Sequence, residues 1–521
     1  MVMSLQDCIN KISATISKTP QEQRDVVADI KRRGFLKQVT NTILFGLTMS
    51  TCAHKYIADT IIEDLPDLGD TDRSNLSPQQ ADMLGKQVVL NIYAQGGMVE
   101  DFDCLDYLNR LGNEFVSYSP MAGKDFNFYL VKDKDINAFA LPGGYICANN
   151  GLIYTTLSEA ELAGVVSHEV GHVIQHHIFR NISVHNRAQW TGIAGLVTAA
   201  ILAPINPAMA MVVAQGGSAA GTQSMLSFSR DYEREADRVG QNLMYKAGFD
   251  AHAMPEFFQR MQDRYKFNTN DAYAFLQSHP VTLERLSEAE TRANQLPTKM
   301  RADSIDFLLT REKCRIRQIE LKDALKFYNI AIATKRYVSL ESQLYGLALT
   351  HYLQKNYEQS IQTLDKISNP KFLINPIVAG LRAKQMIVIG KNDIADRLYE
   401  QSLARYPTHK GLWMGQLEFL IMIRAYPKAA YRLDELSLAF PMDLDVWDQY
   451  AILYSDAKYN NPIRYHYGLG SEYIVLGHYP HGLEQYRAAL KKKPANKEDD
   501  KIQSIISARI PEIMRAMPSK S

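Results

Sequence analysis

The chain has 521 residues, of which 46% are hydrophobic and 22% are charged, values that are ordinary for globular proteins with a full core. Its length suggests about three domains. The formal net charge is +1, and no long basic or acidic block points to a nucleic-acid partner.

The first 53 residues are predicted to be an export leader rather than part of the fold. Residues 31–37, KRRGFLK, match the twin-arginine pattern, and residues 39–50 form a weakly apolar stretch. That stretch is too short to cross a bilayer but has the length of a signal peptide. A twin-arginine signal and a Sec signal both fit, so we expect a periplasmic protein whose export route stays open. Cys52 follows a poor lipobox, which argues against lipidation.

The next elements are predicted to be helices followed by strands. Residues 65–118 have helical spacing of apolar positions, and residues 126–131, FNFYLV, read as a strand. Residues 137–148 read as a strand pair broken by Pro-Gly-Gly. A strand of this pair could accept an extended peptide by backbone pairing at its edge, and the pair could also be a simple structural hairpin, since the two interpretations are compatible.

An H-E-x-x-H pentad, His168 to His172, lies in the apolar, helix-patterned run of residues 160–178. Because His168 and His172 are at positions i and i+4, they share one helix face and can bind one zinc ion. Glu169 beside them is predicted to be the general base. The alternative is a pair of satisfied surface histidines without a metal.

The third ligand is not expected directly after the pentad. The pattern H-E-x-x-H-x-x-G-x-x-H fails, since Gln175 and Ile178 occupy the glycine and final histidine positions. His176 and His177 are predicted to form a solvated helix end.

A second predicted helix, residues 229–237, offers the better candidate. Glu233 and Asp237 are again at i and i+4, so Glu233 can complete a His/His/Glu set. Asp237 can then hold either a ligand histidine or a catalytic group in place. Glu235 is predicted to point elsewhere. The alternative is a solvated acidic helix face.

Residues 188–229 contain no charged residue and are rich in alanine and glycine. Prolines divide this segment into pieces that are too short for a transmembrane helix. It is either a helical hairpin buried beneath the site, or a mobile lid or apolar surface that contacts unfolded clients and, peripherally, the membrane.

His279 precedes Pro280, which biases it away from helical geometry and predicts a loop that can swing. If this loop lies at the zinc, the imidazole would fill the fourth position and silence the enzyme. If it moves aside, the ring can donate to the developing oxyanion. The alternative is an exposed turn histidine.

The C-terminal part is predicted to be a repeat array. Pro407 and Pro441 are 34 residues apart, and each follows an alanine, Ala395 or Ala429, by twelve residues. This period is typical of tetratricopeptide repeats, whose helix pairs stack because one pair cannot bury its own apolar face. The array is expected over residues 300–495, with a capping helix over 496–521. The alternative is an irregular helical bundle.

Several of these motifs, in this order, resemble the HtpX-like gluzincin peptidases, and most closely their bacterial periplasmic branch of beta-barrel assembly-enhancing proteases. The resemblance covers roughly residues 65–294. The segments that carry it are Asn137 to Ile146, Gly151-Leu152-Ile153, Glu161 to Ser167, the pentad, Glu233-x-x-x-Asp237 and His279-Pro280.

The resemblance implies the roles of the site residues. His168, His172 and Glu233 would be ligands of one Zn²⁺ per chain, Glu169 the base, and Asp237 a proton donor or a group that holds a ligand, with His279 near the metal. The predicted fold is an α+β zincin-like peptidase domain, residues 60–297, followed by an all-α tetratricopeptide solenoid.

The predicted function is that of an exported zinc endopeptidase with a client-binding solenoid. The resemblance implies that its substrates are unfolded or misassembled proteins, including outer-membrane β-barrel proteins and their assembly machinery. The alternative function is a chaperone-like holdase scaffold whose zinc site is idle. The segment after the pentad is more apolar than in the periplasmic relatives, so its contribution to substrate binding is left open.

Overall fold

The computed structural model describes residues 78–124, 126–177, 198, 229–266, 272–455 and 458–516. The predicted leader lies outside the described residues, and so does the uncharged segment apart from Thr198 and Ser229. Up to Leu412 the described chain forms one compact unit, and the residues from Trp413 onward belong to a second.

Three strands form the sheet of the first unit: β1 (Asn127–Val131), β2 (Ala138–Leu141) and β3 (Tyr145–Asn149). The strand order is β1-β3-β2, with β1 parallel and β2 antiparallel to β3. Both strand predictions are therefore confirmed, as is the break between β2 and β3. Gly143 and Gly144 make that break at φ values of 81° and 86°, which glycine adopts without the strain that a side chain would cause.

Eight helices accompany this sheet in the described part of the first unit that precedes residue 300. They are α1 (Pro78–Ala94), α2 (Phe102–Ser117), α3 (Asn150–Thr155), α4 (Glu159–Ile174), α5 (Arg230–Lys246), α6 (Ala253–Lys266), α7 (Tyr273–Ser278) and α8 (Leu283–Asn294). The helical prediction for residues 65–118 is confirmed over its described part by α1 and α2.

Helix α4 carries the pentad and begins at a conventional cap. The Ser158 hydroxyl accepts a hydrogen bond from the Glu161 backbone N–H, and Glu159 and Glu161 place negative charge in the first turn. The helix ends at Ile174, four residues before the end of the predicted run. The chain leaves it through His176, whose φ of 55° is left-handed and ends helical propagation.

Two glycines let α4 and α5 approach each other at backbone distance. A Cβ atom on Gly171 of α4 would lie 2.9 Å from the Ala236 carbonyl oxygen on α5. A Cβ atom on Gly240 of α5 would lie 2.8 Å from both the nitrogen and the Cα of His168. Because no side chain separates the helices at these points, residues of α5 reach the pentad directly.

We expect Gly240→Ala to destabilise the protein, although alanine favours helices. The new methyl group would force the two helices apart at a cost of about 1–3 kcal/mol, more than the roughly 1 kcal/mol that alanine contributes through helix propensity. Gly380→Ala is the control, because the nearest atom to its new Cβ is 4.0 Å away. Urea unfolding of both variants is the measurement, and a Gly240→Ala protein as stable as Gly380→Ala would contradict the packing argument.

From residue 300 onward every described element is a helix. In the first unit these are α9 (Ile305–Gln318), α10 (Leu321–Thr334), α11 (Leu340–Leu353), α12 (Tyr357–Leu364), α13 (Pro370–Leu373), α14 (Pro376–Val388) and α15 (Asn392–Arg405). Helix α16 (Lys410–Met422) contains the boundary, and α17 (Tyr426–Ala439), α18 (Leu444–Ser455), α19 (Pro462–Val475), α20 (Tyr479–Leu490) and α21 (Lys497–Ala516) follow.

The observed architecture agrees with the predicted fold class at a coarse level: a mostly helical chain with one small sheet, followed by an all-helical region. Within the described ranges no helix combines the length and the apolar character needed to cross a bilayer.

Candidate metal centre

His168 and His172 lie one turn apart on α4 and point to the same side, as their spacing predicts. Their Nε2 atoms are 2.9 Å apart, and both side chains are buried. Helix α4 packs against β2 and α5, so the two imidazoles lie between the sheet and the second helix.

Glu233 reaches these histidines from the first turn of α5. Its Oε1 is 3.3 Å from His172 Nε2, and its Oε2 is 3.4 Å from His168 Nε2. The Ser229 hydroxyl caps this helix by accepting a hydrogen bond from the Tyr232 N–H, and the first turn of a helix favours a negative charge. The structure therefore brings the predicted third ligand to the pentad.

His279 completes the group from the end of α7. Its Nδ1 is 3.1 Å from Glu233 Oε1 and 3.3 Å from His168 Nε2. Its Nε2 is 3.2 Å from the carbonyl oxygen of Ala138, at the start of β2, and 3.3 Å from Glu169 Oε1. The side chain is buried, so the exposed-turn alternative is wrong.

The residues fit a divalent metal ion. His168, His172, Glu233 and His279 each offer one ligand atom, and these four atoms all lie within 4.8 Å of one another. Three imidazole nitrogens and one carboxylate oxygen are a donor set that zinc binds in proteins, and four is its usual coordination number. The lone pairs of these four buried atoms repel one another, and a cation bound between them would stabilise the arrangement.

Glu169 lies beside this group on α4 and is fully buried. Burial raises the pKa of its carboxyl group, and the neighbouring His279 and His168 offset part of that effect. Glu233 behaves differently: burial alone would raise its pKa, but His279 and Arg285 hold it well below its usual range. The surroundings thus raise the pKa of one buried glutamate and lower the pKa of the other.

Asp237 lies behind His168 rather than among the four ligand atoms. Its Oδ1 is 2.9 Å from His168 Nδ1, the ring nitrogen opposite the one that faces Glu233. The same carboxylate accepts two hydrogen bonds from Arg285, from Nε at 2.7 Å and from Nη2 at 2.8 Å. This geometry suits a residue that fixes the orientation of a ligand histidine.

Arg285 on α8 is a site residue that sequence analysis missed. Besides Asp237, its guanidinium group contacts Glu233, with Nη1 2.7 Å from Oε2, and it donates to the Pro280 carbonyl oxygen. The side chain is 1% exposed, and its carbon Cζ lies 5.1 Å from the centre of the Phe258 ring. One arginine therefore links Glu233 and Asp237 of α5 to the chain that follows His279.

We expect Arg285→Met to destabilise the metal-free protein by about 3–5 kcal/mol, because it leaves two buried carboxylates without their cation. Arg234→Met is the matched control, since Arg234 also bridges α5 and α8 but its partners Asp231 and Glu284 are exposed. The control should be nearly neutral. Urea unfolding is the measurement, and equal stability of the two variants would show that Arg285 is not needed to neutralise the site.

The prediction of a solvated helix end after the pentad is correct for His176 and wrong for His177. His176 is exposed, whereas His177 is fully buried and its Nδ1 lies 2.9 Å from His172 Nδ1. Its Nε2 is 3.0 Å from Glu235 Oε2, so Glu235, expected to point elsewhere, also faces the site. The left-handed turn at His176 brings the His177 side chain back to α4, and no residue pattern in the sequence predicts this turn.

All six residues predicted for the site thus meet in one buried group. They are His168, Glu169, His172, Glu233, Asp237 and His279. Arg285 and His177 join them without having been predicted.

Comparison with known proteins identifies the family. Residues 106–293 match the model of peptidase family M48. The chain is 30% identical to a putative beta-barrel assembly-enhancing protease of Vibrio cholerae over 332 residues. These aligned residues cover 63% of this chain and 68% of that protein. Identity to the beta-barrel assembly-enhancing protease of Yersinia pestis is 29% over 399 residues, or 74% of this chain and 79% of the relative.

The Escherichia coli beta-barrel assembly-enhancing protease is 32% identical over 285 residues, which are 54% of this chain and 57% of that protein. These matches confirm the resemblance predicted from the ordered motifs. The chain therefore belongs to peptidase family M48 and is a metallopeptidase.

Proposed function

We propose that this protein is an exported zinc endopeptidase that cleaves misassembled outer-membrane β-barrel proteins. The observation that carries the proposal is the buried convergence of two pentad histidines and Glu233, with Glu169 beside them. The substrate class is supported by the printed names of the relatives, which are beta-barrel assembly-enhancing proteases.

In this proposal His168, His172 and Glu233 hold one Zn²⁺ ion. When bound, zinc supplies a Lewis acid that polarises the scissile carbonyl group and acidifies water. Asp237 is a positioning residue: its Oδ1 lies 2.9 Å from His168 Nδ1, and a carboxylate at that place favours the tautomer that carries the proton on Nδ1 and leaves Nε2 able to act as a ligand. Arg285 keeps that carboxylate charged and in place.

Glu169 is the general base. Its carboxylate takes the proton of the attacking water and then passes it to the leaving amine. The raised pKa supports this assignment, because a carboxyl group with an ordinary pKa would be a weak proton acceptor near neutral pH.

His279 is proposed to hold the site in a latent state. Its Nδ1 lies with the ligand atoms of Glu233 and His168, and its Nε2 lies within 3.3 Å of Glu169 Oε1. In this position the ring takes the place that water and substrate need. The Ser278 hydroxyl, which donates to Asn137 Oδ1 at 3.0 Å, supports the same position of the loop. When the loop moves aside, the imidazole can donate to the developing oxyanion.

We expect His279→Ala to raise cleavage of an unfolded substrate at least about tenfold, because minor open states of proteins are populated at roughly 0.1–10%. Zinc content and helical content should stay as in the wild type. His252→Ala is the control, since that ring contacts Asp250 and Asn294 outside the cluster. Wild-type cleavage rates in His279→Ala would rule out the latent state, and a lower rate would instead indicate that the ring assists the reaction.

The helical region after residue 300 is proposed to be a tetratricopeptide array that holds clients. Helices α14, α16 and α18 begin at Pro376, Lys410 and Leu444, which supports a period of 34 residues. The predicted small positions Ala395 and Ala429 are both fully buried, as expected at helix crossings. We retain the proposed boundaries of 60–297 for the peptidase domain, 300–495 for the array and 496–521 for the cap, after the leader of residues 1–53.

The client assignment is tested by trapping. A Glu169→Gln, His279→Ala double variant, produced with its leader and crosslinked in cells, should retain bound substrates that the active enzyme would cleave. Unassembled outer-membrane β-barrel proteins should be enriched over other exported proteins by mass spectrometry. Enrichment of cytoplasmic proteins alone would contradict both the location and the substrate class, whereas a spread over all exported proteins would contradict the substrate class only.

A further inference from the structure

We propose that His177 and Glu235 form a hydrogen-bonded chain that positions His172 for metal binding. This inference deepens the proposed function and rests on it in one respect, that His172 is a ligand. The chain runs from His172 Nδ1 to His177 Nδ1 at 2.9 Å, and from His177 Nε2 to Glu235 Oε2 at 3.0 Å.

The backbone brings His177 back to α4 by a reversal that costs conformational energy. His176 takes a left-handed φ of 55°, which non-glycine residues adopt rarely. The reversal places the next ring against His172, with 5.0 Å between ring centroids and an angle of 75° between the planes. The His177 side chain is completely buried there. A solvated helix end would not need the burial of an imidazole.

The hydrogen-bond directions in the chain are mutually consistent. His172 Nε2 faces Glu233 Oε1 and His168, so it must be free of a proton when it binds a metal. The proton of neutral His172 then lies on Nδ1, which donates to His177 Nδ1. His177 in turn carries its proton on Nε2, which donates to the Glu235 carboxylate. Both hydrogen bonds of the chain then join a donor to an acceptor, and neither imidazole needs a second proton.

Helix α5 thereby orients both ligand histidines. Asp237 Oδ1 lies 2.9 Å from His168 Nδ1, while Glu235 acts on His172 through His177. The same helix stacks Tyr232 on the His177 ring, with 4.6 Å between centroids and an angle of 7° between the planes, which fixes the ring plane. The Glu235 side chain is 31% exposed, so its carboxylate is partly hydrated at the outer end of the chain.

A positioning role and a purely structural role make different predictions for the metal-free protein. A strut that only joins the end of α4 to α5 would contribute to stability with or without metal. A positioning chain contributes mainly when His172 must present one nitrogen in one direction, and so it affects metal affinity and ligand geometry more than the stability of the metal-free fold.

Three variants of the full mature protein test the inference. His177→Phe keeps a flat ring against Tyr232 but removes both nitrogens. Glu235→Ala removes the terminal acceptor, and Glu235→Gln restores a neutral acceptor oxygen at the same place. His252→Phe and Glu256→Gln are the controls, because both residues lie outside the cluster.

Three measurements are compared: Zn²⁺ affinity by competition with a chromophoric chelator, the visible absorption of the Co²⁺-loaded protein, and thermal unfolding of the metal-free protein. We expect His177→Phe and Glu235→Ala to weaken Zn²⁺ binding by about 10–100-fold and to change the Co²⁺ spectrum. Glu235→Gln should recover part of the affinity. Both controls should match the wild type, and metal-free unfolding should change little in any variant.

The outcomes separate this inference from the proposed function. If the wild type binds Zn²⁺ tightly and His177→Phe and Glu235→Ala bind it equally well with unchanged Co²⁺ spectra, the positioning chain is wrong and the zinc peptidase proposal stands. If affinity falls only in step with metal-free stability, and Glu235→Gln gives no recovery, the pair is a structural strut and the inference is also overturned. If the wild type binds no Zn²⁺, both fail.

Discussion

Glu169→Gln is expected to reduce cleavage of an unfolded substrate at least about a hundredfold, the scale that general-base catalysis contributes. Glutamine keeps the size of the side chain but cannot accept a proton. Because Glu169 is fully buried and offers no ligand atom to the four-residue cluster, metal binding and fold should persist. The loss should therefore appear in kcat rather than in zinc content.

The measurement is best made in a His279→Ala background, where a latent state would not hide the effect. Initial rates of fluorophore-labelled unfolded substrate give kcat and KM, and metal analysis of the same samples gives zinc content. Glu256→Gln, an exposed glutamate on α6, is the control for the loss of one negative charge. Unchanged cleavage by the Glu169 variant would exclude it as the base. If the protein were a chaperone-like scaffold, in contrast, its cellular function would survive the substitution of Glu169.

His168→Ala is expected to abolish stoichiometric zinc binding. It removes a ligand whose Nε2 faces Glu233 and whose Nδ1 is held by Asp237, so two carboxylates lose their common partner. The loss of affinity should exceed the roughly 10–100-fold that removal of a supporting hydrogen bond causes.

Metal analysis after dialysis at a fixed free zinc concentration provides the test. The wild type should retain one zinc per chain, His252→Ala should do the same, and His168→Ala should retain almost none. Far-ultraviolet circular dichroism verifies that the variant is folded. Full zinc occupancy in folded His168→Ala would refute the ligand assignment and would require another set of residues.

The parts of the site that could be predicted are those in which sequence spacing fixes geometry. His168 and His172 are at positions i and i+4 of one helix, and Glu233 and Asp237 are at i and i+4 of another. Each pair therefore shares a helix face, however the two helices pack. The strand pair before the pentad was predictable from local sequence as well, since Pro142-Gly143-Gly144 interrupts an apolar run and Gly143 and Gly144 take positive φ values that favour glycine.

The residues that were missed depend on tertiary structure. His177 enters the site because His176 adopts a left-handed conformation, and nothing in an apolar helical pattern predicts where such a turn ends the helix. Arg285 is six residues beyond His279 on a different helix, and its role depends on how α8 packs against α5. An isolated arginine in an otherwise charged helix carries no signal that it will be buried.

The contact between Gly171 and α5, and between Gly240 and α4, limits how the centre can adjust to ions of different radius. The separation of the two ligand-bearing helices is set by van der Waals contact between main-chain atoms, which resists compression and has no side-chain rotamer to relax. Adjustment must come from the torsion angles of Glu233 and from the segment that carries His279. We therefore expect the main-chain contact of these two crossed helices to influence which metal ion the proposed centre prefers, through positions outside the proposed ligand set.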